Sequence, residues 1–250
     1  MTDRERLVLD QFSPRAGAYV ASAVHASGAD LDLVAARAAQ IRPGRALDLG
    51  CGGGHVAYAL APHAEKVVAA DLSAAMLAAV RKEAARRGFA GIETVEAPAE
   101  RLPFADESFD LLVSRFSAHH WRDFAAGLRE ARRVLRAGAP ALFIDIVSPG
   151  LAALDTHLQA VELLRDPSHV RDYSRAEWFD ALARAGFSPR ASQTWRLRMD
   201  FADWTGRMAT PAGLREAIRL LQQKADASTK THFAVEPDGS FVIDAALIEA

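Results

Sequence analysis

The chain of 250 residues carries one cysteine, Cys51, which rules out an internal disulfide and leaves no thiol cluster for zinc. It also lacks any apolar run approaching the length of a membrane span. Its start, MTDRERLVLDQF, is charged where a secretory leader would be basic and then apolar. A cytoplasmic protein without integral membrane contact is the expectation. Excess charge of one sign is missing too: the net charge of −2 gives no pull toward nucleic acid or an anionic membrane. Arg129, Arg132, Arg133 and Arg136 have no aromatic residues interleaved for base stacking, so they read as a solvated helix face. No internal repeat or low-complexity tract stands out.

What is present suits one large α/β domain with a real core, at 50% hydrophobic and 25% charged residues. The organising stretch is RALDLGCGGGHVAY, from Arg45 to Tyr58. A short apolar run breaks into Gly50, Cys51, Gly52, Gly53 and Gly54 before a helical pattern starts at His55, which predicts a buried strand, a tight turn and a helix N-terminus. Glycine is needed where the backbone must turn left-handed or a ligand must approach closely.

Charge narrows the ligand. Residues 52 to 57 fit the relaxed dinucleotide fingerprint G-x-G-x-x-A, but out of register, because the turn begins at Gly50. Asp48 stands two residues before that glycine, where it would repel a pyrophosphate and attract a cation. Asp71 ends the next apolar run, VVAAD, and a carboxylate at the tip of a second strand is placed to accept hydrogen bonds from ribose hydroxyls. Adenosine without phosphates and with positive charge fits both acids. S-adenosyl-L-methionine is such a molecule.

Those residues carry a resemblance. DLGCGGG resembles the D/E-x-G-x-G-x-G signature of class I S-adenosylmethionine-dependent methyltransferases. The later segments PAERLPFADESFDLLVSRFSAHHW and EARRVLRAGAPALFIDIV are similar to the motifs that follow it, most of all in the small-molecule group that includes the ubiquinone and menaquinone C-methyltransferases (methyltransferase type 11). The resemblance implies a Rossmann-like α/β fold: a seven-stranded, mostly parallel sheet with helices on both faces and its last strand antiparallel. It implies cap helices over residues 1–40, a cofactor-binding core over 41–150, a lid over 151–173 and sheet completion with a helical insertion over 174–250. S-adenosyl-L-homocysteine would be the product and a small molecule the methyl acceptor, with the protein a monomer or homodimer. Gly50, Cys51, Gly52, Gly54 and His55 would hold the cofactor with Asp48 and Asp71. Leu72 and Met76 would flank adenine. Ala99 and Glu100 would contact the base, although Pro98 stands where relatives often carry an acid. Tyr19 either closes over the methionine end or only packs a surface helix; Arg15 and His25 are secondary candidates.

Local order follows from caps and periodicity. Ser73 and Gly88 bracket one helix, Asp123 and Gly138 another, and Ser174 with Glu177 forms a capping box ahead of a third. KVVAAD, IETVEAP, FDLLVSRF and ALFIDIV alternate with helices, which predicts a parallel sheet. QTWRLRMD and FVIDAALIEA read as the last two strands, with two helices between them, the second opened by Thr210 and Pro211. FDLLVSRF runs at its carboxyl end into Ser117, Ala118, His119, His120 and Trp121, which face the ligand crevice of such sheets. Arg115 or His119 is therefore placed at the reacting centre, with His119 the candidate base and only one of the two adjacent histidines expected to face in. Asp155, His157, Gln159, Glu162, Arg165 and His169 are polar members of the lid with no individual role assigned. The segment after the fourth strand lacks N/D-P-P-Y/F, which favours O- or C-methylation over methylation of amide or base nitrogens. Two alternatives stay open: a silent cofactor-binding scaffold, and a nicotinamide-dependent oxidoreductase, which Asp48 and the loop register disfavour.

Overall fold

A computed structural model describes residues 2–17 and 28–250. Seven strands form one sheet: β1 (Arg45–Leu49), β2 (Lys66–Asp71), β3 (Ile92–Glu96), β4 (Leu111–Arg115), β5 (Ala141–Ile146), β6 (Ala191–Met199) and β7 (Phe241–Glu249), in the order β3-β2-β1-β4-β5-β7-β6. The first five run parallel, with Leu47 level with Val68 on one side and Leu112 on the other. β7 is antiparallel to both of its neighbours. The parallel part is what the strand and helix alternation predicts, and the whole is the Rossmann-like sheet that the resemblance implies.

Among the described residues the α-helices are α1 (Asp3–Phe12), α2 (Ala29–Ile41), α3 (His55–Leu60), α4 (Ala74–Arg87), α5 (Phe124–Val134), α6 (Ala152–Arg165), α7 (Arg175–Arg184), α8 (Phe201–Arg207), α9 (Ala212–Lys224) and α10 (Ala227–His232). Most start where a side chain can accept an orphan amide. Ser73, Asp123 and Ser174 cap α4, α5 and α7, the last through the expected reciprocal box with Glu177. Three details differ from the sequence expectation. α1 starts at a capping box of Thr2 and Glu5 that the sequence reading did not single out. Three helices, not two, separate β6 from β7, because Asp226 caps the extra turn of α10; and Thr210 opens no helix, since its hydroxyl donates to the Arg165 carbonyl at 3.0 Å.

Strand residues alternate between the two sides of the sheet. Leu47, Leu49, Val68 and Ala70 pack on one face with Phe109, Phe143 and Trp178, while Ala46, Val67 and Ala69 pack on the other with Val56 and Leu111. All six residues of β5 are buried, as a strand covered on both faces requires. Its one charged member is Asp145. A third cluster joins Ile243 and Ala245 of β7 to Trp204 and Leu158, which seats α6 and α8 against the far end of the sheet.

Gly127 shows how tightly the crevice is backed. A Cβ there would lie 2.4 Å from the Trp121 ring, and Trp121 itself donates to Ser117 Oγ at 3.1 Å. Alanine in place of a helical glycine ordinarily gains up to about 1 kcal/mol. Here Gly127→Ala is expected to destabilise by about 1 to 3 kcal/mol through overpacking, read from urea unfolding; an unchanged or raised midpoint contradicts this packing.

Candidate functional site

The ends of β1, β2, β4 and β5 open into one cavity of about 410 Å³. At the end of β1 the amides of Gly50 and Cys51 both donate to the Ala70 carbonyl at 2.9 Å, turning the chain at once. Gly52 N then donates to Asp71 Oδ2 at 2.8 Å, while Asp71 Oδ1 accepts from Ser73 N at 2.8 Å. One carboxylate thus clamps the bend of β1 to the tip of β2.

The glycines have separate tasks. At Gly50, φ is +72° and a Cβ would fall 1.9 Å from Ser117 Oγ, so the bend can approach the β4 tail only without a side chain. At Gly52, which lines the cavity, a Cβ would meet no protein atom within 4 Å. That is the cradle a ligand needs. Gly54 does not line the cavity; it caps α3 against Tyr58 and Val80, so its role lies in packing.

Asp48 is 1% exposed, and its Oδ2 accepts from Ala57 N at 2.9 Å, inside the first turn of α3. Burial pushes its carboxyl up to about 8, partly offset by that amide, with Asp71 adding repulsion. Burial also raises Asp71, opposed by the amides of Ser73 and Gly52. The buried Cys51 thiol is raised further by Asp71 and Asp48 and stays a thiol.

Of the expected residues, Asp48, Gly50, Cys51, Gly52, His55 and Asp71 line the cavity. So do Leu72, Met76, Ala99, Glu100, Arg115 and His119. Glu100 Oε1 also accepts from Asp123 N at 3.1 Å, helping to start α5. The Arg115 side chain is 7% exposed and ion-paired through Nε to Asp30 of α2, a partner the sequence reading did not find. Arg15 bonds the Gln11 carbonyl and does not line the cavity. Tyr19 and His25 lie outside the described residues.

His119 and His120 both face in, contrary to expectation, because they sit on a 3-10 turn (Ala118–His120) and not on an alternating strand. Their ring centroids are 4.2 Å apart. His119 Nδ1 lies 2.6 Å from Asp145 Oδ1, and its amide donates to Asp145 Oδ2 at 3.3 Å. Burial pulls the imidazole down, but the carboxylate of Asp145, with Asp172 and Glu162 behind it, lifts it to about 9. His120 goes the other way, to about 4, through burial and the charge of its neighbour. At neutral pH His119 is thus an imidazolium, which must shed a proton before it can act as a base. Asp145 was missed, yet a lone acid within ALFIDI was the available signal.

From α6 and the loop after it, Glu162, Arg165, Asp166 and Asp172 reach the cavity, whereas His157 packs against Phe233 with centroids 5.4 Å apart. Asp155 bonds Ser148 Oγ at 2.7 Å, and Gln159 holds His169 Nε2 at 2.9 Å. These polar residues build the loop. The remaining wall is apolar, with Ile146, Trp195, Leu197, Met199, Trp204 and Ile243.

A strand order that reverses between β1 and β4, a left-handed glycine bend at that switch and an acid at the tip of β2 form the nucleoside-binding arrangement that the resemblance to class I methyltransferases implies. Comparison with known proteins agrees. Residues 47–143 match the methyltransferase domain family. The uncharacterized methyltransferase YcgJ of Bacillus subtilis is 32% identical over 243 residues, spanning 95% of this chain and 96% of that one. Its crystal structure superposes with a TM-score of 0.84 at 31% identity, covering 88% of this chain and 96% of YcgJ. The uncharacterized protein YafE of Escherichia coli is 42% identical over 197 residues, 79% of this chain and 95% of YafE. The ubiquinone/menaquinone biosynthesis C-methyltransferase UbiE of Stenotrophomonas maltophilia is 42% identical over 112 residues, 43% of this chain and 44% of UbiE. The chain belongs to the class I S-adenosylmethionine-dependent methyltransferases.

Of the groups whose proton affinity the fold raises, Asp48 and His119 bind protons more tightly in the folded chain than in the unfolded one. Their stabilisation is complete below the unfolded values, 3.8 for Asp48 and 6.5 for His119, and is lost as pH climbs through the folded values, about 8 and about 9. The melting temperature is therefore expected to fall between about pH 6 and about pH 9. A temperature that is flat or rising over that window contradicts the burial of these groups.

Proposed function

We propose that the chain transfers a methyl group from S-adenosyl-L-methionine to a small-molecule acceptor, on oxygen or carbon, with Asp48 and Asp71 as the acids that select the donor. The observation that carries this reading is the Asp71 clamp beside the open face of Gly52. A carboxylate oxygen has more than one acceptor site, so Asp71 can hold the bend and still accept from two sugar hydroxyls. Asp48 places negative charge where the sulfonium and ammonium would lie. Leu72 and Met76 supply an apolar slot for the base, closed by Ala99 and Glu100.

When bound, S-adenosyl-L-methionine supplies a methyl group already activated by the sulfonium. The protein's own task is alignment and exclusion of water, which can contribute on the order of 7 to 11 kcal/mol. A base adds perhaps 100-fold to 10,000-fold when the acceptor must lose a proton, and His119 is the group placed for it. In this reading α6 and residues 166–173 act as the lid. The absence of N/D-P-P-Y/F supports oxygen or carbon as the attacked atom. A silent scaffold with the same pocket differs only in giving no product across an acceptor screen.

Asp48, held near 8 by its burial, gives a specific test. At pH 7 it carries a proton that an incoming cation displaces. Calorimetry in buffers of different ionisation enthalpy is expected to show proton release when S-adenosyl-L-methionine binds, and none for Asp48→Asn, which keeps an oxygen for the Ala57 amide. Asp71→Asn is expected to weaken binding at least tenfold, because an amide cannot accept from both Gly52 and Ser73. Absence of binding at millimolar ligand sinks the donor assignment.

A further inference from the structure

The acids at the far end of the cavity converge on a single imidazole. Asp145 grips His119 through both oxygens, one on Nδ1 and one on the backbone amide, and is itself 3% exposed. Asp145 Oδ1 also accepts from Ile146 N at 2.9 Å, which fixes the carboxylate. With Nδ1 engaged, Nε2 is the nitrogen left for a ligand. Among the described residues it has no hydrogen-bond partner, and 15% of the side chain is open within the cavity lining.

Glu162 of α6 and Asp172 of the following loop lie around the same ring; burial pushes both carboxyls up, Asp172 well above the usual carboxylate range, while the charge of His119 draws them down, so they reinforce Asp145 only as the ring becomes charged. The loop is tied to the histidine directly, since Val170 N donates to the His119 carbonyl at 2.8 Å. Neither oxygen of Asp172 accepts a hydrogen bond among the described residues, and Oδ2 is fully buried. Arg165 bonds Glu162 only at 3.4 Å. The other groups facing this end are His120, His169, Asp166 and, from α1, Arg4. His120 and His169 are held neutral by burial and by the charge of His119. Such surroundings, with Asp145 nearest, favour positive charge arising on His119.

Resting on the methyl-transfer reading above, we propose that Asp145 positions His119, with Glu162 and Asp172 in support, to take the proton from a neutral, weakly acidic hydroxyl of the acceptor, a phenol or an enol. The hydroxyl O–H bond breaks, its proton passes to the neutral Nε2, and the electron pair stays on the oxygen or the carbon conjugated with it. Protonated His119 then returns the proton to water. The apolar wall formed by Trp195, Leu197, Met199 and Trp204 takes the hydrocarbon body of such a molecule. Basicity near that of a phenolate makes the transfer nearly balanced, and the reactive state grows as pH rises toward about 9.

The test uses the whole chain saturated with S-adenosyl-L-homocysteine. The His119 ring is titrated by nuclear magnetic resonance and assigned against His119→Gln. An inflection near 9 is expected, moving down by at least one pH unit in Asp145→Asn and by a smaller step in Asp172→Asn, which serves if the first variant does not fold. Naphthol, whose anion absorbs at longer wavelength, is then added at a pH where it is neutral in solution. The bound probe is expected to show at least tenfold more anion than in His119→Gln. An inflection at or below the ordinary 6.5, no movement in either variant, or a probe that stays neutral or fails to bind overturns the proposal. Failure of S-adenosyl-L-homocysteine to bind tells against the donor assignment instead, because the titration can also be run on the protein alone.

Discussion

The carboxylate of Asp71 is the constraint on which the site depends. It accepts the amides of Gly52 and Ser73, so it joins the end of β1 to the end of β2 and starts the turn into α4. The same group lines the cavity, where the proposed reading has it meet the donor's sugar. In that reading structural hold and recognition reside in one side chain, and its burial raises the free energy of its charge until donors converge on it. Two backbone amides supply part of that compensation, and sugar hydroxyls would supply more.

The two halves of the cavity come from different parts of the chain. The half with the glycine bend is built by the parallel strands β1, β2 and β4, where each residue is set by strand register. The other half is made by β6, β7, α6 and α8. Antiparallel β7 brings Ile243 beside Trp195 and Leu197, and α8 adds Trp204 to the same apolar wall. α1 contributes from above: Arg4 donates to the Pro167 carbonyl at 3.0 Å, and the Phe12 ring meets that of His120 with centroids 5.0 Å apart. The hydroxyls of Ser13 and Ser73 meet at 2.9 Å, bringing the N-terminal segment to the residue that caps α4.

Much of this was legible in the sequence because it is local. The alternation of apolar runs with capped helices gives the sheet, and Asp48, Gly52 and Asp71 are marked by their spacing from strand ends. What could not be read depends on distant segments meeting. Asp30 matters through Arg115, and Asp145 through His119. Glu162 and Asp172 acquire their effect only when α6 folds back over the 3-10 turn. The two histidines were misjudged for a related reason: alternation applies within a strand, and the chain had already left β4. The caps of α4, α5 and α7 were read correctly because each lies within a few residues of the amide it satisfies.

The most direct test of the central claim is a crystal structure of the chain with S-adenosyl-L-homocysteine. The account predicts both Asp71 oxygens within hydrogen-bond distance of the ribose hydroxyls, the base between Leu72 and Met76, and the amino-acid end beside Asp48. A ligand seated elsewhere, or an Asp71 bonded only to Gly52 and Ser73 with the sugar turned away, would contradict it.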